Sequence, residues 1–199
     1  MEPVVNDLTQ NNIAVVIPCY RVGQEIGALI ASLPRFLKHI IVVDDASPDE
    51  TSKIVTEAAH RDLRIVLIRH EKNQGVGGAM RTGFRKALEL DAQIVVKIDG
   101  DGQMDPVHLP NLLLPIIQGR ADYTKGNRFK DFQALQKMPI IRRVGNMALS
   151  FLTKAATGYW NLFDPTNGFV AIHGKVLAQL PLEQIDRTYF FETSMLANL

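Results

Sequence analysis

Three carboxylates follow one apolar run in the segment KIDGDGQMDP, residues 97–106. Asp99, Asp101 and Asp105 come directly after AQIVV, a run with the composition of a buried strand. Because carboxylates this close repel one another, we expect a positive partner beside them. Carboxylate oxygens with a neutral amide nearby suit a hard cation such as Mg²⁺ or Mn²⁺, which keeps some waters and is completed by substrate phosphates.

A second acidic pair, Asp44 and Asp45, follows the apolar run HIIVV. Ligands of a doubly wound sheet bind outside the carboxyl ends of its strands, so both acidic sets should emerge at the same rim. Gly100 and Gly102 would let the backbone approach a ligand there, since neither carries a Cβ. An ordinary turn is the alternative, because Asp and Gly dominate turns, but the strand context and the second pair favour a ligand site.

The elements that must position these residues follow from the hydrophobic pattern. Apolar runs predict strands covered on both faces, at residues 13–18, 39–45, 64–70, 92–99 and 121–126. Their alternation with helical patterns predicts an α/β fold, Rossmann-like, with a mainly parallel sheet and helices on both faces. No repeat, low-complexity tract or linker is present, so residues 1–199 are predicted to form a single domain.

Two helices are predicted between the strands. The first has Ser47 as N-cap, Pro48 at the first helical position and Glu50 completing a capping box, and it runs to about residue 59. The second covers residues 75–88, with an apolar stripe and three glycines on its crowded sides. These glycines suit either close packing on the sheet or close approach to a ligand.

Spacing argues against three other kinds of site. NQGVGGAMRTG aligns neither with the dinucleotide motif G-x-G-x-x-G nor with the phosphate loop G-x-x-x-x-G-K-[ST]. In the phosphoaspartyl phosphatases D-x-D follows the first strand, whereas here it follows the fourth. The five histidines show no metal-ligand spacing, so zinc is not indicated.

Composition describes a soluble, globular chain. It has 199 residues, 46% of them hydrophobic, and a net charge of +1, which gives no global field for nucleic acid or an anionic membrane. The single cysteine, Cys19, fits a reducing cytoplasm. The N-terminus does not resemble a signal peptide, and no apolar run approaches the ~20 residues that span a bilayer.

Six motifs follow one another along the chain: VVIPCYRVGQEI, IIVVDDASPDET, NQGVGGAMRTGF, KIDGDGQMDP, KGNRF and DPTNGFVAI. In this order they resemble the family 2 glycosyltransferases, the inverting nucleotide-sugar enzymes with the GT-A fold. DGDGQMDP, RRVGNMALSFLTK and DPTNGF are most similar to the polyprenyl-phosphate branch of that family, which includes dolichyl-phosphate mannose synthase. The resemblance covers nearly the whole chain and implies a hexosyltransferase.

The resemblance also implies roles for residues of the D-x-D loop. Asp101 and Gln103 would hold Mg²⁺ or Mn²⁺, and Asp99, before Gly100, would assist the metal or hold the ribose. The cation would neutralise the diphosphate as it leaves, which makes Asp101 a candidate catalytic residue.

Other donor contacts are implied in the same way. Pro18 and Tyr20 would flank the base, and Asp44 would accept a hydrogen bond from the ring N–H of uracil or guanine. Arg128, in GNRF, would contact the phosphates of a UDP or GDP sugar. Arg21 follows the tyrosine where the family often has Asn-Glu, so any contact of that glutamate is missing.

The acceptor side is less specific. Residues 138–155 carry a helical apolar stripe that is either core or an interfacial helix, with Arg142 and Arg143 facing a lipid phosphate. Glu192 stands where many relatives carry an acidic pair, but Thr193 follows it. It would act as a catalytic base or orient the acceptor, and a phosphate acceptor, being ionised already, needs no base.

The sequence therefore predicts a cytoplasmic enzyme of cell-envelope biogenesis, at the inner face of the membrane, that transfers a sugar with inversion to a polyprenyl phosphate. Transfer to a sugar hydroxyl of a glycan is the alternative, and a non-catalytic nucleotide-sugar-binding module is the alternative from another class. The chain ends within a helical pattern, which suggests either a C-terminal truncation or an unusually short member of the family, with any membrane helices beyond residue 199. The sugar, the base and the oligomeric state are not determined.

Overall fold

The described residues of the protein, 7–127, 167–188 and 190–199 of a computed structural model, form one six-stranded sheet. The strands are β1 (Ile13–Cys19), β2 (His39–Asp44), β3 (Ile65–Arg69), β4 (Ile94–Lys97), β5 (Tyr123–Lys125) and β6 (Val170–His173). Their order across the sheet is β3-β2-β1-β4-β6-β5. All five predicted strands are therefore present.

The strands β3, β2, β1 and β4 pair in parallel, which confirms the prediction of a mainly parallel sheet. The sixth strand, β6, was not predicted, and it runs antiparallel between β4 and β5. It contains only four residues, VAIH, too few for a distinct strand pattern.

Helices cover both faces of the sheet, as predicted. They are α1 (Ile26–Ser32), α2 (Thr51–Ala59), α3 (Gly75–Glu89), α4 (Leu109–Ile117), α5 (Gly174–Leu177) and α6 (Phe191–Ala197). Buried residues of α1, α2 and α4 share one hydrophobic core with β1, and those of α3, α5 and α6 form a second core on the opposite face. Strands buried on both faces need apolar side chains at every position, which accounts for their unbroken apolar runs.

The predicted start of α2 is wrong by three residues, because Ser47 does not cap a helix. Its N–H donates to Asp44 Oδ1 at 2.9 Å, and its hydroxyl accepts from the N–H of Arg21 at 3.1 Å. Ser47 thus belongs to the loop after β2, and α2 begins at Thr51. A capping-box sequence can serve either turn, because Ser and Asp bond to nearby backbone in both.

The glycines of α3 serve close packing among the described residues. A Cβ on Gly83 would collide with the side chain of Val16 in β1, and one on Gly77 would collide with the backbone of residues 186–187. The N–H of Gly77 donates to the carbonyl of Arg187 at 3.0 Å. These contacts bring α3 against both the sheet and the segment that precedes α6.

Three predicted site residues, Arg128, Arg142 and Arg143, lie outside the described residues, as does the whole predicted helix at 138–155. Within the described residues, no helix is both long and apolar enough to cross a membrane.

Candidate functional site

The carboxyl ends of β1, β2 and β4 meet at one rim of the sheet, as the sequence predicted. The register between β1 and β2 places Cys19 opposite Asp44, and that between β1 and β4 places Val16 opposite Lys97. Both acidic loops therefore leave the sheet on the same side. A Cβ on Gly100 would lie 3.1 Å from the carbonyl oxygen of Pro18, so the D-x-D loop lies directly against the end of β1.

The loops after β1 and β2 are joined by three hydrogen bonds from successive backbone N–H groups. Arg21 donates to Ser47 Oγ, Val22 to Thr51 Oγ1 and Gly23 to Asp49 Oδ2, each at 3.1 Å. These bonds fix the backbone that carries Tyr20.

Burial would raise the pKa of the Asp49 carboxyl, but hydrogen bonds from Thr51 and Gly23 outweigh burial and lower it. Asp49 therefore stays ionised and keeps accepting at neutral pH. The β1–β2 loop junction is thus held by a charged acceptor.

Tyr20 presents an aromatic surface at the rim. It is 44% exposed, and the guanidinium carbon of Arg21 lies 5.3 Å from its ring centroid. A half-exposed ring next to a cation can stack against a planar base. Pro18, two residues earlier, is partly buried at the end of β1.

Asp44 is completely buried, and the structure gives its carboxylate internal partners. Oδ1 accepts from the N–H of Ser47, Oδ2 accepts from the hydroxyl of Ser52, and Arg69 Nε lies 3.7 Å from Oδ2. The described structure therefore shows Asp44 fixing the loop after β2, and a hydrogen bond to a base would add to these contacts.

Asp45 organises a second loop, a role that the sequence analysis did not assign. Its Oδ1 accepts from the N–H of Gln74 at 2.8 Å and its Oδ2 from the N–H of Gly75 at 2.8 Å, at the start of α3. His70 Nδ1 lies 2.7 Å from Asp45 Oδ1, and His70 Nε2 lies 2.9 Å from Thr82 Oγ1. Of the acidic pair after β2, Asp44 therefore holds the loop after β2 itself, and Asp45 holds the loop that leads into α3.

Cys19, at the end of β1, carries no reactive character. Burial, together with the charges of Asp44, Asp99 and Asp49, raises the pKa of its thiol. The thiol therefore stays neutral and behaves as a small apolar side chain.

The D-x-D loop offers an exposed carboxylate that suits a divalent cation. Asp101 is exposed, and its Oδ1 accepts from the N–H of Gln103 at 3.1 Å. In the described part of the chain no three acidic, histidine or cysteine side chains cluster as a complete metal site. The chemistry of the donor set still fits Mg²⁺ or Mn²⁺, since such ions are commonly held by one or two carboxylates and completed by phosphates.

Asp99 is paired with a cationic side chain of the protein itself, which partly explains how the neighbouring carboxylates of this loop are tolerated. Lys97 Nζ lies 2.6 Å from Asp99 Oδ1 and 2.9 Å from Glu192 Oε1. Burial alone would lower the pKa of Lys97, but the charges and hydrogen bonds of Asp99 and Glu192 raise it. The positive group expected beside the carboxylates is, for Asp99, this buried ammonium.

Lys97 was missed by the sequence analysis, although its signal is present. A lysine within the buried run IVVK is a charge where charges are almost never left unpaired. What the run could not indicate is the second partner, Glu192, which lies 95 residues further along the chain.

Gly168 and Tyr123 lie next to this ion-pair cluster. A Cβ on Gly168 would collide with Lys97 Nζ and with the carboxylate of Asp99, so a larger residue there would displace the ion pair. Burial, and then the charge of Glu192, raises the pKa of the Tyr123 hydroxyl, which therefore stays neutral. Among the described residues this hydroxyl is buried without a hydrogen-bond partner.

Comparison with protein families gives a match over most of the chain. The model described as Glycosyl transferase family 2 matches residues 14–180. The matched range includes β1 to β6 and the whole D-x-D loop, and it ends before Glu192.

Two curated relatives have similar lengths of alignment. The chain is 35% identical over 181 residues to UDP-N-acetylglucosamine–dolichyl-phosphate N-acetylglucosaminyltransferase of Methanococcus voltae, which covers 84% of this chain and 72% of that protein. It is 31% identical over 189 residues to undecaprenyl-phosphate mannosyltransferase of Micrococcus luteus, which covers 92% of this chain and 75% of that protein. The chain is therefore shorter than both relatives.

A solved structure with a similar fold is glucosyl-3-phosphoglycerate synthase of Mycobacterium tuberculosis, in complex with Mn²⁺, UDP and glucosyl-3-phosphoglycerate. The TM-score is 0.72 at 20% sequence identity, and the alignment covers 97% of this chain and 66% of the other. At this identity the likeness shows the fold alone.

Proposed function

Since the chain belongs to glycosyl transferase family 2 and is a glycosyltransferase of the GT-A fold, we propose that it transfers a sugar from a nucleotide-diphosphate sugar to a polyprenyl-phosphate-type lipid. The proposed reaction is one displacement. An oxygen of the lipid phosphate attacks the anomeric carbon, the bond from that carbon to the nucleoside diphosphate breaks, and the configuration inverts.

The donor is proposed to bind across the rim formed by β1, β2 and the D-x-D loop. The half-exposed ring of Tyr20 supports stacking of a base, and the hydrogen bonds between the first two loops hold that ring in place. A base N–H would be a third hydrogen-bond donor to the Asp44 carboxylate, beside Ser47 and Ser52, and this favours uridine or guanosine. The diphosphate would then extend toward Asp101, with Arg128 proposed as a further phosphate contact.

Asp101 and Gln103 are proposed to hold Mg²⁺ or Mn²⁺, with Asp99 beside them. When bound, the cation would offset the charge of the departing diphosphate. The exposed carboxylate of Asp101 supports this role, and so does the solved relative of similar fold, whose complex contains Mn²⁺ and UDP.

The ion pair between Lys97 and Glu192 is the observation that best supports a phosphate acceptor. A general base must be free to contact the proton that it takes from the acceptor, whereas one oxygen of Glu192 already accepts a hydrogen bond from the buried ammonium of Lys97. A lipid phosphate is ionised already and needs no base. The names of both curated relatives describe transferases that act on dolichyl or undecaprenyl phosphate, which supports the same acceptor class.

This acceptor implies where the protein works. Its lipid substrate resides in a membrane, while nucleotide sugars are water-soluble, so we propose that the protein acts at the inner face of the membrane in cell-envelope biogenesis. Arg142 and Arg143 are proposed to face the lipid phosphate.

The test is a transfer assay with purified protein, Mn²⁺ or Mg²⁺, a panel of UDP and GDP sugars, and polyprenyl phosphate in detergent. We expect radiolabel from one donor to enter the organic phase as a mild-acid-labile product. A matched reaction with free polyprenol replaces the phosphate by a hydroxyl and should give no product. Labelling of a soluble glycan, with no labelling of the lipid, would overturn the proposal in favour of a sugar hydroxyl acceptor.

A further inference from the structure

We propose that Lys97 is a positioning residue: it fixes the side chain of Asp99, in the D-x-D loop, relative to that of Glu192, in α6. The inference rests on the proposed function, because it takes Asp99 as donor-side and Glu192 as acceptor-side. It adds Lys97 to the proposed site. One buried cation would hold the donor side and the acceptor side in a single arrangement, so that the two sides are coupled.

The geometry of the cluster is that of a bridge. Lys97 is the last residue of β4, and its side chain is 1% exposed. Its Nζ is within hydrogen-bond distance of one oxygen of each carboxylate, at 2.6 Å for Asp99 and 2.9 Å for Glu192. The two acids are themselves less buried, with side chains 32% and 13% exposed, so each can reach the surface of the site.

The bridge joins the D-x-D loop, which follows β4, to helix α6. Asp99 lies two residues after β4, and Glu192 lies in the first turn of α6. The rest of α6 is held by packing, since Phe191 and Met195 lie in the second core and Phe84 and Phe191 have ring centroids 6.1 Å apart. Apolar packing sets the position of α6 but not the direction of Glu192, which the ammonium selects.

Removing the cation would change the site and not only its stability. Two carboxylates would then face the same buried space without a partner, and they would repel each other. Gly168, which lies against the ammonium, carries no side chain that could take its place. Asp99 and Glu192 would turn toward solvent, and we expect donor and acceptor binding to weaken together.

A lysine that only stabilised the fold would behave differently. Its loss would lower the melting temperature and the fraction of folded protein, but each folded molecule would keep its affinities. Rates and binding must therefore be expressed per functional site, counted by the stoichiometry of UDP binding in calorimetry.

The experiment compares Lys97→Met, Glu192→Gln, the double variant, and Lys86→Met as the control. Lys86 also forms an ion pair, with Glu89 at 3.1 Å on α3, but away from the rim. We expect Lys97→Met to raise both the Kd for UDP in Mn²⁺ and the KM for polyprenyl phosphate by about tenfold, the effect of losing one charged hydrogen-bond partner. Glu192→Gln should raise only the acceptor KM, and Lys86→Met should change neither constant.

The double variant tests the coupling. If Lys97 acts through Glu192 on the acceptor side, the double variant should have the acceptor KM of Lys97→Met alone, because the second change removes a contact that is already lost. It should also melt at a higher temperature than Lys97→Met, since one of two repelling carboxylates is gone. This melting comparison uses no substrate, so it remains decisive if the proposed acceptor is wrong.

Three outcomes would overturn the inference: unchanged Kd and KM in Lys97→Met, additive effects in the double variant, or a double variant that melts no higher than Lys97→Met. If Lys97→Met does not fold, Glu192→Gln decides the question, and a normal acceptor KM in that variant would overturn the inference. A wild type that binds UDP but labels no lipid would instead contradict the proposed function.

Discussion

Asp99 and Asp101 belong to the same motif and have the same side chain, yet the structure gives them different surroundings. Asp99 is paired with a buried lysine, whereas Asp101 is exposed and accepts from the N–H of Gln103. The partner of Asp99 is built into the protein. Among the described residues no cationic side chain forms an ion pair with Asp101, which is why we propose that the metal is held chiefly by Asp101.

The first prediction follows from this difference. Asp101→Asn removes charge but little volume, so UDP affinity in Mn²⁺ should fall by about tenfold or more while the melting temperature of the free protein stays near that of wild type. Calorimetry with and without Mn²⁺ measures the effect. Asp105→Asn is the control, because Asp105 caps the short helix at residues 106–108 and should matter little for UDP. Equal UDP affinity of the wild type with and without metal would contradict the assignment.

The second prediction concerns the chemical step. Glu192→Gln keeps the shape of a side chain that is already paired with Lys97, so kcat for a lipid phosphate should fall by less than about tenfold, whereas loss of a true base costs ~10²–10⁴-fold. Single-turnover rates at saturating donor separate this from binding. A loss of two orders of magnitude or more, with donor binding intact, would favour a sugar hydroxyl as acceptor.

At the scale of elements, the glycines of α3 allow close packing and do not form a nucleotide-binding motif. Gly83 allows the helix to approach Val16 of β1, and Gly77 allows it to approach the segment before α6. The same helix begins at Gly75, whose N–H donates to Asp45. Through these three contacts α3 links the loop after β2, the sheet and the segment before α6.

The third prediction uses these contacts. Gly77→Ala and Gly83→Ala should each lower the free energy of unfolding by roughly 1–3 kcal/mol, because the added methyl overlaps neighbouring atoms and outweighs the gain in helix propensity. Gly27→Ala, in α1, is the matched control: its Cβ would meet only Ile54 at 3.4 Å, so it should be neutral or stabilising by up to about 1 kcal/mol. Urea denaturation of the three variants measures the difference. A Gly77→Ala variant as stable as Gly27→Ala would contradict this account of the packing.

Arg64 joins two loops at the opposite end of the sheet. Its Nε and Nη2 donate to Asp62, and its Nη1 donates to the carbonyls of Pro34 and Leu37 at 3.0 and 3.1 Å. The hydrogen bond from Arg64, opposed by partial burial, lowers the pKa of Asp62 from its ordinary value of 3.8. Because the folded-state pKa is the lower one, this stabilisation is fully present above pH 3.8 and is lost as the pH falls through the folded-state pKa.

The fourth prediction is the resulting pH dependence. At pH 5 to 7 the wild type should be more stable than Asp62→Asn, and the difference should shrink as the pH falls below 3.8. Thermal melts across this range measure it. Asp7→Asn, an exposed carboxylate, serves as the control and should show no such trend. A difference between wild type and Asp62→Asn that stays constant with pH would show that the pair has no linked effect.

At the scale of the whole molecule, one sheet with a core on each face supports loops from four strands at a single rim. The donor site would use the loops of β1, β2 and β4, while Glu192 reaches the same rim from the C-terminal part of the chain. A donor would thus bind only the folded protein. Ligand binding of this kind stabilises the whole fold by mass action.

The fifth prediction is a thermal shift that depends on metal. UDP at about 100 times its Kd should add ~2.7 kcal/mol to the stability in Mn²⁺. Cytidine diphosphate and adenosine diphosphate are the controls, and they should shift the melting temperature less if Asp44 contacts a base N–H. Equal shifts with all nucleoside diphosphates would remove Asp44 from the base site.

The sequence by itself determined the parallel part of the sheet and the rim at which the two acidic loops lie. Unbroken apolar runs can be satisfied only by strands covered by other elements, and parallel strands bring their carboxyl ends to one rim, so β1 to β4 and both acidic loops follow from local patterns. Asp101 and Tyr20 were selected by the resemblance of their motifs, whereas their exposure was seen only in the structure.

Only the tertiary structure decided which charges meet. Lys97 and Glu192 are 95 residues apart in the sequence. Asp45, in the loop after β2, contacts His70 and the start of α3, which lie in the loop after β3 and beyond it. The short strand β6 is likewise defined by its neighbours rather than by its own pattern. The sequence shows that a buried charge such as Lys97 needs a partner. It does not show which residue the partner is, because that depends on how distant segments pack. The packing of those segments is set by the whole core and not by the residues next to the charge in sequence.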